Sequence, residues 1–485
     1  MSATQNRFDL ILRGGTIYDG TGGSPFKVDI GIIGDRVTAM GDLAEATSAD
    51  VIDASGMAVS PGFIDVHSHD DFHVLSNPDV EHNNYQGITT VVVGNCGFGA
   101  APYETAAGRM GELYSLPPEV KPWDGYAGYL DTVDTFPPSL NVAALVGHNT
   151  LRFDAMGDIQ QVPPSIDQVT HMAGWVAEGM EAGAVGLSSG LIYEPGRYAE
   201  TDEIAAIATV AGGYGAVYST HMRNEAGRLV QAVEEAIAIG EVSGCRVQIS
   251  HHKASGSDNW GAVERSIALI EAARDRGIDV TADQYPYTSG STRLGAMIQN
   301  RSLTDGGGGI GQVSAVDVLL ATSPGAPEYE GRTLASFVDE WDLPAEDAAQ
   351  RLLTESGEHT YVVIFMMDEG DVRRVMAHPS TMIGTDGIPA GSKPHPRAWG
   401  TYPRILGKYV REEGVISLPD AVRKMSGMPA DKFQLAGRGY VREGGFADLV
   451  VFDPATVIDR ATYEEPMTPP FGMPHVIVNG VPVVR

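Results

Sequence analysis

The feature that most constrains this chain is an alternation repeated through its middle. Short apolar runs of strand length are followed by longer stretches whose apolar residues fall on one helical face. The strand-like runs lie at 63–66, 89–93, 142–146, 185–187, 217–219, 247–249, 280–282 and 382–384. Between them come amphipathic patterns such as AGRLVQAVEEAIAIG at 226–240 and AVERSIALIEAARDR at 262–276. A strand that reaches the next through a helix runs parallel to it, and the helices cover the sheet. Repeats of this number predict an α/β chain closed into a (β/α)8 barrel better than an open, doubly wound sheet. The interval from about 288 to 360 holds GGGG at 306–309 and is too long for an ordinary connection. It predicts an insertion before the last barrel strand, lying over the barrel mouth. The two ends read differently, as closely spaced strands and turns: FDLILR at 8–13, alternation at 28–34, ADLVVF at 447–452 and HVIVNGVPVV at 475–484. They predict a small β-subdomain built from 1–60 and 415–485 around a barrel of 61–414.

Charge and composition narrow what such a barrel meets. Across 485 residues, 33 Lys+Arg stand against 63 Asp+Glu, a formal net charge of −30. That excess repels nucleic acid and anionic membranes, so neither is expected as a partner. No run approaches the roughly 18 apolar residues of a membrane span, and the N-terminus lacks the basic start and apolar core of a signal peptide. The two cysteines, Cys96 and Cys245, make no disulfide framework and fit a reducing compartment. A cytoplasmic protein acting on a small molecule is expected, with its oligomeric state left open.

In a barrel the chemistry sits at the carboxyl ends of the strands. The first strand ends in Asp65-Val66-His67-Ser68-His69, the second in Gly94-Asn95-Cys96 and the fifth in Ser219-Thr220-His221. The sixth ends in Ser250-His251-His252-Lys253 and the eighth in Gly384-Thr385-Asp386-Gly387. Histidines at i and i+2 of an extended segment project to one side, so His67 and His69 can reach one metal. By the same alternation His252 faces away from His251. Any one of these residues has an ordinary structural explanation. Together, imidazoles and a thiolate at several strand ends of one barrel point to a metal. Three soft or borderline donors, a thiolate and two imidazoles, suit Zn²⁺ and leave a position for water. A carboxylate at the eighth strand, Asp386, can take the proton of that water and deliver it to a leaving nitrogen. The chemistry is metal-assisted hydrolysis of an amide-like bond.

The N-terminal β-layer, Pro61-Gly62-Phe63-Ile64-Asp65-x-His67-x-His69, His221, His251, Asp386 and the closing ADLVVF resemble the amidohydrolase superfamily. Within it, Gly94-Asn95-Cys96-Gly97, Thr220-His221-Met222-Arg223, Ile249-Ser250-His251-His252-Lys253, Phe365-Met366-Met367-Asp368-Glu369 and His395-Pro396-Arg397-x-Trp399-Gly400 are similar to the D-aminoacylases. The resemblance runs over essentially the whole chain, and the Cys96 motif is its most specific part. It implies zinc-dependent hydrolysis of N-acyl-D-amino acids to a carboxylate and a free D-amino acid. It implies one tight zinc on Cys96, His221 and His251, a weaker second site on His67 and His69 with the Cys96 sulfur, and Asp386 as general base and then acid. The substrate's α-carboxylate would be held by Lys253, Tyr285, Ser291 and Arg397. An anionic substrate needs cations independently of any resemblance, and Arg offers a bidentate fork where Lys offers a point charge. His395 either orients Arg397 or caps a loop. The side-chain pocket implied is Ile192, Ile298, Ile364 and Met367, all apolar, which favours an apolar D-residue; Arg293, close to Ser291, would instead welcome an acidic one.

Two rivals remain open at the level of sequence. A cyclic amidase of the hydantoinase or dihydroorotase sort, or an isoaspartyl-type peptidase, would keep the metal and change the amide. Those relatives usually bridge their metals with a carboxylated lysine, where this chain offers Cys96. A non-catalytic scaffold would keep the barrel and have no reason to retain ligands and carboxylate together.

Overall fold

The computed structural model describes residues 7–110, 114–157, 159–304 and 307–485, so Gly306 of the glycine run lies outside the described residues. Each expected barrel run forms a strand. Phe63–Asp65, Ile88–Val93, Asn141–Gly147, Gly186–Gly190, Val217–His221, Arg246–Ile249, Val280–Gln284 and Thr381–Ile383 make one 8-stranded parallel sheet in chain order. A parallel bridge between Ser68 and Gly387 and a 2.7 Å bond from the Asp386 N–H to the His67 carbonyl bring the last strand back to the first. The second strand, ITTVVV, is buried at every position, as a parallel strand covered on both faces must be.

The covering helices start and stop for local reasons. Ile166–Ala182 opens on a capping box, with Ser165 accepting from Gln168 N–H and the Gln168 side chain returning to Ser165 N–H, and closes on Gly183 at φ 106°. Leu229–Ser243 begins later than its pattern, because Asn224 Oδ1 accepts from the N–H groups of Ala226 (3.0 Å) and Arg228 (2.9 Å) and holds 224–228 as a turn.

The insertion carries its own small layer. Strands Ser289–Arg293, Val318–Thr322 and Tyr361–Phe365 form an antiparallel sheet with Tyr361–Phe365 in the centre. Helices Leu294–Gln299, Leu334–Trp341 and Ala345–Ser356 cover it around Leu294, Met297, Leu334, Phe337 and Leu352. The chain ends pair in a 6-stranded sheet that joins Ala58–Pro61, Thr16–Ile17 and Phe26–Lys27 to Leu449–Phe452, His475–Val478 and Val481–Val484. A 4-stranded sheet from 8–53 lies beside it. Helices Leu418–Met425 and Gly427–Lys432, within the stretch expected to belong to the terminal subdomain, pack instead on the barrel: Ala430 and the following Phe433 join Ile64, Val66, Val92, Leu145, Val217 and Met382 in one apolar cluster. No helix among the described residues is long and apolar enough to cross a membrane.

Candidate metal centre and active site

Cys96 sits in the turn Asn95–Gly97 that follows the second barrel strand, with left-handed backbone at φ 55°. Gly94 and Gly97 beside it both stand at φ 81°; a Cβ on Gly94 would lie 2.2 Å from the Leu145 carbonyl oxygen, and one on Gly97 2.2 Å from Asn149 Oδ1. Only glycine lets this turn press against the third strand and the helix after it, which is what aims the sulfur inward. His251 (φ 34°) and Asp386 (φ 49°) are also left-handed. Such backbone is costly for residues other than glycine and gathers at functional sites.

The turns deliver one cluster. Cys96 Sγ lies 3.3 Å from His67 Nε2, 3.6 Å from His221 Nδ1 and 3.7 Å from His251 Nε2. Tetrahedral bonds of about 2.3 Å to sulfur and about 2.0–2.1 Å to nitrogen separate the two donors by about 3.6 Å, so the spacing fits a shared zinc-sized ion. Two triads overlap at that sulfur, His67–His69–Cys96 and Cys96–His221–His251, each with its donor atoms within 4.8 Å of one another. Burial penalises the Cys96 thiolate, but the neighbouring imidazoles of His67, His221 and His251 reverse this and hold the thiol well below its ordinary value. The sulfur is therefore held as the thiolate a metal needs. Burial opposes charge on His67, His69 and His251, but Cys96 and the nearby carboxylates outweigh it and push these imidazoles up, so they release protons when they ligate.

Asp386 closes the cluster. Its Oδ1 is 3.1 Å from His69 Nε2 and 3.5 Å from His67 Nε2, while Oδ2 is 3.0 Å from Arg397 Nη1. Burial opposes its charge, and Arg397, His67 and His69 outweigh burial, so the carboxyl is held well below the usual range. Arg397, 1% exposed, also donates to the Ser291 carbonyl at 3.4 Å and stacks its guanidinium 4.4 Å from the Tyr285 ring centre. Among the described residues, Arg397 Nε and the Tyr285 hydroxyl meet no hydrogen-bond partner. Unmet buried donors of this kind call for an anionic guest. His395 caps the chain: its Nδ1 accepts from the Arg397 N–H at 2.9 Å.

The cavity at this cluster, about 410 Å³, reaches His69, Cys96, Asp386 and Ser291. That volume suits a small-molecule site. Its wall mixes apolar side chains such as Phe98, Phe153, Leu353 and Ile388 and the rings of Tyr114 and Tyr193 with polar ones, among them Gln160, Glu194, Arg293, Gln299 and Glu358. Ile192, Ile298, Ile364 and Met367, expected to form the side-chain pocket, do not line it. They pack into the insertion's own core, because a sheet with helices on it must bury its inner faces, and Ile364 lies on the central strand of that sheet. Lys253 and Tyr285 lie beside the cluster and are not among the residues of this wall: Lys253 Nζ is 2.6 Å from Glu225 Oε1 and 2.7 Å from His251 Nδ1, and 5.8 Å from the Tyr285 ring centre. His252 turns away and meets Ser266 Oγ at 2.8 Å.

The strand-end reading missed two buried carboxylates. Asp283 on the seventh strand has Oδ1 3.3 Å from His67 Nδ1 and accepts from the His251 N–H at 2.7 Å. The strand-end rule, applied to VTADQ, would have found it. Glu225 lies in the turn after the fifth strand, 2.8 Å from His251 Nδ1, and its only sequence signal is its place four residues beyond His221. Burial opposes the Glu225 charge, and Lys253, His251 and His221 together hold it well below its ordinary value. Carboxylates behind ligating histidines fix their tautomer and orientation.

Barrels that gather borderline donors and a free carboxylate at one mouth are built for metal-assisted hydrolysis. The chain belongs to the amidohydrolase family, whose model matches residues 50–305 and 344–484. It is 41% identical over 479 residues to an N-acyl-D-glutamate deacylase of Alcaligenes xylosoxydans xylosoxydans, across 99% of this chain and 94% of that one. A D-aminoacylase of the same organism is 41% identical over 483 residues, covering 98% of this chain and 94% of the relative. The crystal structure of an N-acyl-D-glutamate deacylase from Bordetella bronchiseptica, complexed with zinc and a phosphonate mimic of the tetrahedral intermediate, matches with a TM-score of 0.90 at 39% identity, covering 99% of this chain and 97% of that one.

Proposed function

We propose that this protein is a zinc-dependent deacylase of N-acyl-D-amino acids, releasing a carboxylate and the free D-amino acid. The observation that carries the reading is the Cys96 sulfur within 3.7 Å of three imidazole nitrogens, beneath a carboxylate that a buried arginine holds. Cys96, His221 and His251 would hold the tight zinc, and His67 and His69 would complete a weaker site on the same sulfur. When bound, zinc supplies Lewis acidity that brings a water's pKa to about 7 and polarises the acyl carbonyl. Asp386 Oδ1 takes the proton of the attacking water and returns it to the leaving nitrogen, which must go protonated. Arg397 and Lys253 offset the chain's negative charge where the α-carboxylate binds, with Tyr285 and Ser291 beside them. A hydantoin has no such carboxylate, so this clamp favours the acyclic substrate over the hydantoinase reading.

The apolar part of the cavity wall, Phe98, Phe153, Leu353 and the rings of Tyr114 and Tyr193, supports an apolar D-side chain such as leucine, methionine or phenylalanine. One observation favours a second reading, N-acyl-D-glutamate: Arg293 lines the same cavity, its Nε donating to the Tyr361 hydroxyl at 3.2 Å. The D assignment draws on the relatives and is tested directly. N-acetyl-D- and N-acetyl-L-leucine, N-acetyl-D-glutamate and a hydantoin are compared on the zinc-loaded enzyme. Hydrolysis of the D-leucine substrate above the rest is expected. Preference for the L-enantiomer or the hydantoin would overturn the reading, and preference for D-glutamate would replace its side-chain part.

A further inference from the structure

Glu225 ends no strand, yet it is tied to both halves of the site. It is 3% exposed, and its main chain is fixed on two sides: its N–H donates to the Gly309 carbonyl in the insertion, and its own carbonyl accepts from the Ser255 N–H, both at 2.8 Å. Oε1 lies 2.8 Å from His251 Nδ1 and 2.6 Å from Lys253 Nζ, and Oε2 is 3.8 Å from His221 Nε2.

Lys253 Nζ donates to His251 Nδ1 at 2.7 Å, a contact that holds only while that nitrogen carries no proton; ligation through Nε2 changes this. His251 presents Nε2 to the Cys96 sulfur at 3.7 Å. A nitrogen that ligates a metal carries no proton, so the proton of a neutral His251 sits on Nδ1 and needs an acceptor. Lys253 Nζ, 2.7 Å from the same Nδ1, has only donors and cannot accept it. Glu225 Oε1 is then the acceptor for both groups. Among the described residues, no other carboxylate pairs with Lys253, which is 6% exposed. A buried ammonium without a partner is costly.

We propose that Glu225 is a positioning residue that couples the metal to substrate recognition. One carboxylate oxygen selects the His251 tautomer that can ligate zinc and, through the same contact, keeps the Lys253 ammonium paired and aimed at the substrate's acid. The main-chain N–H of Glu225 ties the turn that carries this carboxylate to Gly309, so the insertion and the metal cluster share an anchor. The inference rests on the N-acyl-amino-acid reading above.

The test compares wild type, Glu225→Gln, Lys253→Met and the double variant, each checked for an unchanged unfolding temperature. Zinc affinity is measured by chelator competition, and KM for N-acetyl-D-leucine is set against KM for its carboxamide. Glu225→Gln should weaken zinc about 10–100-fold, the usual cost of losing a carboxylate behind a ligating histidine. It should raise KM for the acid roughly tenfold while leaving the carboxamide nearly unchanged. The double variant should lose no more acid selectivity than Lys253→Met alone, because Glu225 acts on the acid through Lys253. Lys253→Met should hold zinc more tightly than Glu225→Gln does, since it leaves the His251 contact intact. Should Glu225→Gln fail to fold, the double variant, which removes the stranded ammonium, still reports zinc affinity against Lys253→Met. Zinc affinity and acid selectivity in Glu225→Gln equal to wild type would overturn the inference. A wild type that binds no zinc, or that treats acid and carboxamide alike, would instead overturn the functional reading beneath it.

Discussion

Replacing Asp386 by asparagine separates proton transfer from binding, because the side chain keeps its shape and loses its charge. In Asp386→Asn the new amide would turn its carbonyl oxygen to Arg397 Nη1, 3.0 Å from the present Oδ2, and present its NH₂ to His69, where Oδ1 now lies 3.1 Å from Nε2. No group would then be left at Oδ1 to take the water's proton, a role worth about 10²–10⁴-fold in rate. Substrate binding should move the other way. Arg397 is buried and its charge is paired with Asp386 at 3.0 Å; a charge-assisted hydrogen bond to the substrate's acid is worth about 1.5–3 kcal/mol. Freed from competition with a neighbouring carboxylate, Arg397 should hold the substrate's acid more tightly, by at most about ten- to a hundredfold. Steady-state release of D-leucine from N-acetyl-D-leucine, with zinc content measured on the same samples, reads both effects. The expected result is a kcat fall of two orders of magnitude or more, with KM lowered and zinc retained. Near-normal kcat would remove Asp386 from the mechanism, and a strongly raised KM would refute the competition for Arg397.

The metal ligands should divide unequally: Cys96→Ala and His221→Ala should each lose tightly bound zinc, while His67→Ala and His69→Ala retain most of it by elemental analysis. Equal loss from all of them would merge the two overlapping triads into one site. Arg293→Met should leave kcat/KM for N-acetyl-D-leucine near wild type and lower that for N-acetyl-D-glutamate about ten- to a hundredfold; an equal fall on both would mean that Arg293 serves the shared part of the substrate. Burial, and then the charge of Arg397, hold the His395 imidazole well below its ordinary value, so the folded protein keeps it neutral. Its contribution is present above the unfolded pKa of about 6.5 and falls by up to about 1.4 kcal/mol per pH unit below it. Chemical denaturation of wild type and His395→Gln at neutral and mildly acid pH should show a shallower acid loss in the variant, and parallel losses would exclude His395.

The barrel was legible because a parallel sheet buried on both faces writes its strands as apolar runs, and VVV at 91–93 or VQI at 247–249 has few other uses. The metal cluster was legible because barrel chemistry gathers where those runs end, and strand alternation alone separated His251 from His252. Glu225 was not, since it sits on an irregular turn held by Asn224 and acts only through neighbours that the fold supplies. The side-chain pocket misled for a different reason. Apolarity marks Ile192, Ile298, Ile364 and Met367 as buried but not against what, and an insertion with three strands and covering helices needed them for its own core. The wall that faces Cys96 comes from residues such as Phe98, Tyr114 and Tyr193 in irregular segments, where no periodic pattern marks a face.

The central claim is that a single thiolate, Cys96, anchors the metal that activates the amide. Zinc-edge X-ray absorption on protein loaded with one equivalent of zinc tests it most directly. One sulfur scatterer at about 2.3 Å together with imidazole nitrogens at about 2.0–2.1 Å is the predicted shell, and the sulfur contribution should vanish in Cys96→Ala. A shell of nitrogen and oxygen alone in the wild-type protein would contradict it.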